Sequence, residues 1–93
     1  MKHFRWNHQK NKTLKVERDI TFEQMVLAIE TDGLLDVVSH PNISKYPNQS
    51  IFIVAYEGYV YLVPFVEEPE YYFLKTIIPN RKATKDYLQR GES

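Results

Sequence analysis

The stretch from Ser50 to Val66 constrains the fold more than any other. Ser50 to Tyr56 and Tyr59 to Val66 are rich in β-branched and aromatic residues, and Glu57-Gly58 separates them, which is the pattern of a β-hairpin. Alternation puts Ile51, Ile53 and Ala55 on one side of the first strand and Phe52, Val54 and Tyr56 on the other, so neither side is polar. A strand that is apolar on both faces belongs inside a sheet, with helices over at least one face. Pro64 has no N–H to donate and marks a point near an edge or a bulge.

The segments around this hairpin supply the rest of the sheet and its cover. Phe4 and Trp6 alternate with Arg5, which predicts a short first strand burying both rings. Asn7 is placed to cap a helix from His8 to Arg18, whose apolar content is only Leu14 and Val16. Thr21 with Gln24 three residues on reads as a capping box, and Phe22, Met25, Val26 and Ile29 recur at helical spacing up to Asp32-Gly33. Leu34 to Ser39 reads as a strand, followed by a loop over 40–48 holding two prolines and two asparagines. After the acidic turn Glu67-Glu68-Pro69-Glu70, the residues Tyr71, Phe73, Thr76 and Ile78 suit a last strand that Pro79 ends. Asn80 then caps a closing helix on which Ala83, Tyr87 and Leu88 share a face. The expectation is one α+β domain spanning residues 1–93, in which an antiparallel sheet of about four strands carries two N-terminal helices and one C-terminal helix.

Composition excludes several function classes. With no Cys, there is neither a disulfide framework nor a thiolate zinc site. His3, His8 and His40 are not at metal-ligand spacing, three glycines make a nucleotide cradle improbable, and no nucleophile elbow or paired-carboxylate motif appears, so no metal or cofactor is expected. No apolar run follows the charged N-terminus and none is long enough to span a membrane, which predicts a soluble cytoplasmic protein.

The formal charge is zero, but it is a balance of separated blocks. Residues 1–18 hold six cations against Glu17 alone, a net +5; residues 19–70 hold Lys45 against nine carboxylates, a net −8; residues 71–93 hold five cations against two carboxylates, a net +3. If folding joins the two ends, one face becomes a positive patch able to attract a phosphate backbone. Arg81 and Lys82 fall in the first turn of the closing helix, where the helix dipole disfavours each cation by about 0.3–1 kcal/mol. A nearby anion would relieve that mismatch, and Lys75 would reach the same place from the strand. The same residues also fit an edge strand followed by a solvated helix.

Cations with Tyr and His can cleave RNA without metal, because the 2′-hydroxyl is a built-in nucleophile and the protein mainly positions the strand and stabilises charge on phosphorus. Arg81, with its bidentate fork, is the first candidate for the phosphate, assisted by Lys82 or Lys75. Tyr87, Tyr46, His40 or a lysine are the candidates for proton transfer. Lys10, Lys15 and Arg18 on the first helix, with Lys75 and Lys85, are candidates for holding RNA.

The arrangement Phe4-x-Trp6-Asn7, Lys10-Asn11, then Ile20-Thr21-Phe22-Glu23, a strand hairpin, and a closing Ile77-Ile78-Pro79-Asn80-Arg81-Lys82-Ala83-Thr84 resembles the BrnT family of bacterial toxins over nearly the whole chain. The resemblance implies a RelE-like fold and the toxin half of a type II toxin-antitoxin system, a ribonuclease that blocks translation. It also implies a cognate antitoxin, a ribbon-helix-helix or similar DNA-binding protein, through which alone the complex meets operator DNA. The family's basic pair before Ala-Thr falls on Arg81 and Lys82, and its N-terminal helix lysine on Lys10. The chain departs from the family where Glu17-Arg18-Asp19 replaces Lys-His-Gly and where Asn80 replaces Ser. The competing expectation from the residues is a non-catalytic interaction module or nucleic-acid-binding regulator; a direct DNA-binding role lacks a helix-turn-helix signature.

Overall fold

The computed structural model describes residues 2–89. In chain order the elements are β1 (His3–Trp6), α1 (His8–Arg18), α2 (Phe22–Glu30), β2 (Leu34–Ser39), β3 (Gln49–Tyr56), β4 (Tyr59–Glu67), β5 (Tyr71–Leu74), β6 (Ile78–Pro79) and α3 (Arg81–Thr84), which runs on as a π-type helix over Lys85–Gln89. The fold is α+β. Its sheet has the order β1-β5-β4-β3-β2, with β6 paired to β4 beyond the end of β5. The expected antiparallel meander is present as β2 to β5. The sheet is nonetheless mixed and larger than the expected four strands, because β1 joins it in parallel, His3 opposite Tyr71 and Trp6 opposite Leu74. Both intervening helices and the whole meander separate β1 from β5, and a connection of that length permits a parallel entry.

The pairing assigns every strand residue to one of two faces. On one face Phe4, Trp6, Phe52, Val54, Tyr56, Tyr61, Val63, Phe65, Tyr72 and Leu74 meet Leu14, Phe22, Met25, Ala28 and Ile29 from α1 and α2. Its rings interlock: Phe52 and Phe65 stack at 3.9 Å between centroids, Trp6 stacks on Phe22 at 5.6 Å, and Tyr72 meets Phe65 edge-on at 5.3 Å. The second face carries Ile51, Ile53, Val60, Leu62, Val66, Tyr71 and Phe73, and α3 packs over only part of it, on β4. Val16 of α1 is left 86% exposed, so Leu14 alone anchors that helix in the core.

Local chemistry fixes the elements as the residue pattern predicts. Asn7 accepts the Lys10 N–H at 2.9 Å, and the Thr21–Gln24 capping box is complete, with both reciprocal bonds formed. Asn11 welds the two helices together. Its Nδ2 donates to Glu23 Oε1 at 2.7 Å and its Oδ1 accepts the Phe22 N–H at 2.8 Å. The hairpin turn has Glu57 at φ 49° and Gly58 at φ 80°, the two left-handed positions of a type I′ turn. Gly33 is needed for space rather than for a left-handed cap: a Cβ there would lie 2.5 Å from the Ala55 carbonyl oxygen, which closes α2 onto β3. Pro64 costs the hairpin no ladder bond, since its carbonyl faces the Lys75 N–H and its nitrogen therefore points to that side, away from β3.

The single last strand expected from Tyr71 to Ile78 is broken into two. Leu74 and Ile77 are both buried, at 1% and 0% exposure, and an odd spacing of three cannot keep both on one face of a continuous strand. The chain leaves the ladder over 75–77, turns Ile77 into the helix-covered core, and rejoins β4 at Ile78–Pro79. Among the described residues no helix is long and apolar enough to cross a membrane.

Asn11→Ala should lower stability by about 1–3 kcal/mol, because the Phe22 N–H and the Glu23 carboxylate lose their partner. The Asn11 bond holds Glu23 below its ordinary pKa, so this share of the stabilisation is complete above about pH 4.5 and is lost as pH falls through the lowered value. Urea denaturation at pH 7 and pH 3 checks this, with the gap between variant and parent expected to narrow in acid.

Candidate functional site

The closing helix is seated by a chain of bonds that starts at the edge of β4. Asn80 donates its backbone N–H to the Val60 carbonyl at 3.0 Å and accepts the Ala83 N–H on its side chain at 2.7 Å, which makes it the N-cap. Thr84 accepts the Val60 N–H at 2.9 Å and donates its hydroxyl to the Asn80 carbonyl at 2.8 Å. That double duty explains why Thr84 is buried at 4% exposure, whereas Tyr87 and Leu88, expected on the packed face with Ala83, stand 36% and 37% exposed. The wider turn that follows Thr84 resets the helical spacing. Tyr87 Oη donates to Asp36 Oδ2 at 3.3 Å, so the helix crosses from β4 toward β2 over the second face of the sheet.

Arg81, Lys82 and Lys85 are all exposed on α3, and the first turn contains no acidic residue to offset the dipole. Lys82 Nζ lies 4.0 Å from Asp86, an open contact between exposed groups. Arg90, expected on the same helix, lies outside the described residues. Lys75, in the break after β5, is exposed with Nζ 5.9 Å from the Phe73 ring centroid.

The two basic ends of the chain are joined, though not on one face. β1 lies beside β5, and Arg18 Nη1 donates at 2.5 Å to the carbonyl of Ile77, four residues before Arg81. Lys10, Leu14 and Arg18 fall four residues apart along one side of α1, with Leu14 buried, Lys10 half-buried and Arg18 exposed. Lys15 instead faces outward and pairs with Asp19 at 2.6 Å, which raises the lysine pKa and lowers that of the carboxyl. Because α1 and α2 cover the aromatic face, α3 is left the opposite one. The positive charge is therefore divided between the two faces instead of forming a single flat patch.

The remaining proton-transfer candidates lie elsewhere. His40 and Tyr46 pack on each other at 4.5 Å in the loop over 40–48, and His40 Nδ1 accepts the Asn42 N–H. Tyr61, near the hairpin turn and not one of these candidates, has its pKa raised first by burial and then by the charge of Glu57. Among the described residues no group of three or more His, Asp or Glu side chains converges.

Residue patterns alone did not single out His3, Arg5, Tyr71 and Phe73. Arg5 lies over the Tyr71 ring at 5.0 Å, and the pairing of His3 with Tyr71 and Arg5 with Phe73 puts all four on the second face. The signal was the alternation itself: if Phe4 and Trp6 point to the core, His3 and Arg5 point away from it. Only the parallel partner strand reveals what they meet. Comparison with protein-family models, curated proteins and solved structures finds no match to this chain.

Thr84→Val should destabilise the fold by about 1–3 kcal/mol, since it leaves the buried Val60 N–H unpaired. Arg81→Ala, at an exposed position, should move stability by no more than about 0.5 kcal/mol. Thermal unfolding of both variants checks the contrast and establishes Arg81→Ala as a probe of function.

Proposed function

We propose that this protein is a BrnT-like toxin of a type II toxin-antitoxin system, a RelE-like metal-independent endoribonuclease that acts in the cytoplasm and inhibits translation. The observation that carries the proposal is the link between the two basic ends, where β1 lies along β5 and Arg18 holds the Ile77 carbonyl four residues ahead of the exposed Arg81 and Lys82. The two helices followed by an antiparallel meander and a closing basic helix also agree with the architecture that the resemblance implies.

In this proposal the guanidinium of Arg81 binds two phosphate oxygens and Lys82 adds charge beside it, with Lys75 reaching the same edge. The 2′-oxygen of the substrate attacks the adjacent phosphorus, the bond to the 5′-oxygen breaks, and a cyclic phosphate and a 5′-hydroxyl result. One group takes the 2′-hydroxyl proton and one returns a proton to the leaving oxygen. Tyr87, bonded to the Asp36 carboxylate, is the proton-transfer group on the same helix. Arg18, Lys10, Lys15 and Lys85 hold the flanking strand, Lys15 after leaving Asp19. The cognate antitoxin, a ribbon-helix-helix or similar DNA-binding protein, covers the basic edge with acidic or helical elements and alone brings the complex to operator DNA.

Purified protein should cut RNA in the presence of EDTA, and Arg81→Ala should slow the cleavage by about 10²–10³-fold while leaving the fold intact. RNA that stays whole at high protein concentration, or a growth phenotype that Arg81→Ala leaves unchanged, would favour a non-catalytic interaction module instead.

A further inference from the structure

The uncovered half of the second sheet face differs from the rest of the molecule in how it treats its aromatic rings. On the helix-covered face the rings of Phe4, Trp6, Phe22, Phe52, Phe65 and Tyr72 pack against one another. Tyr71 and Phe73, on the other face of β5, make no ring–ring contact among the described residues, and each instead lies under a cation: Arg5 at 5.0 Å and Lys75 at 5.9 Å. Both rings are half-exposed and both cations exposed. Shallow grooves flank Arg5 on either side, one of about 610 Å³ lined by His3, Phe4, Arg5, Glu70 and Tyr71, the other of about 430 Å³ lined by Phe4, Arg5, Trp6, His8 and Phe73. Glu70 also lines the first groove, while Glu67, opposite Tyr72 and so on the other face, is paired with Lys2 at 2.6 Å.

We infer that β1 and β5 form a stacking platform for single-stranded RNA, in which Arg5 and Lys75 swing off the Tyr71 and Phe73 rings to take phosphates and bases lie on the ring faces they leave. For its ligand class the inference rests on the ribonuclease proposal above; the platform itself is argued from these contacts. An alternating ring-and-cation array matches a single strand, which offers a π-face and a negative charge in every nucleotide. A duplex hides its base faces within its own stack. An apolar protein surface would be met by the exposed charges of Arg5 and Lys75.

The platform also has a direction. Tyr71, Phe73 and Lys75 follow one another along β5, and the chain then continues beside β4 through Ile78 to Arg81. At about 3.3 Å per extended residue, Phe73 and Arg81 are at most about 26 Å apart, a reach of a few nucleotides. A strand stacked on β5 would thus be delivered to the basic first turn of α3. The platform sets which nucleotides precede the cleaved bond and is a determinant of sequence or structure preference.

Binding is measured separately from cleavage with a fluorescent 2′-O-methyl RNA 12-mer, which lacks the nucleophile, followed by anisotropy over a salt series. Tyr71→Leu and Phe73→Leu keep apolar bulk in the sheet, and circular dichroism reports that the variants are folded. Each should weaken binding about tenfold with the salt slope unchanged. Arg5→Gln and Lys75→Gln should each reduce the slope by about 0.7. A hairpin duplex of equal length should bind at least about tenfold more weakly than the single strand. Unchanged affinity in folded Leu variants, or equal affinity for duplex and single strand, would overturn the platform. So would a loss confined to binding of the protein partner. If the parent cleaves RNA and the Leu variants cut at the same rate and sites, the platform fails while the nuclease proposal stands. If ring-dependent binding occurs without cleavage, the nuclease proposal fails and the platform stands.

Discussion

The parallel contact between β1 and β5 is the constraint on which the rest of the molecule depends. It buries Phe4 and Trp6 against Tyr72 and Phe22, extends the meander into a mixed sheet, and carries the first basic block to the last. Without it, α1 would be held to the core by Leu14 and the Asn11 clamp, and Arg18 would have no fixed carbonyl to meet. Four residue pairs thus decide both the shape of the sheet and where its charge lies.

The helices and the hairpin were legible in the residues because their signals are local. Asn7, the Thr21–Gln24 box, Glu57-Gly58 and Asn80 each perform a task that involves neighbours within four positions, and each performs it as its residue type predicts. What could not be read were features set by distant partners. The parallel orientation of β1 depends on a strand at the other end of the chain. The break at 75–77 depends on Ile77 being drawn into the core beneath α1, and the burial of Thr84 depends on a strand-edge N–H at Val60. Periodicity describes one element at a time, so it placed Thr76 in a strand and Leu88 on a packed face.

For the site, the same division holds. Residue type and helix position picked out Arg81, Lys82 and Lys85 as exposed cations, which they are. Grouping Lys10, Lys15 and Arg18 as cations of the first helix did not foresee that Lys15 pairs with Asp19 while Arg18 is tied to the backbone of the closing segment. Arg5 was invisible as a functional residue because alone it is one cation between two core rings. Its meaning comes from Tyr71, a residue that only register brings beneath it.

His3 lies opposite Tyr71, sixty-eight positions apart, whereas β3 and β4 pair across a two-residue turn. The hairpin can therefore close early, but β1 must wait until β5 has emerged before it finds a neighbour. Until then Phe4 and Trp6 have no sheet to pack on, and the leading cations have no fixed relation to the trailing ones. A chain cut short anywhere before Tyr71 would lack the only strand that β1 pairs with among the described residues, and the link between the leading and trailing cations would be lost with it.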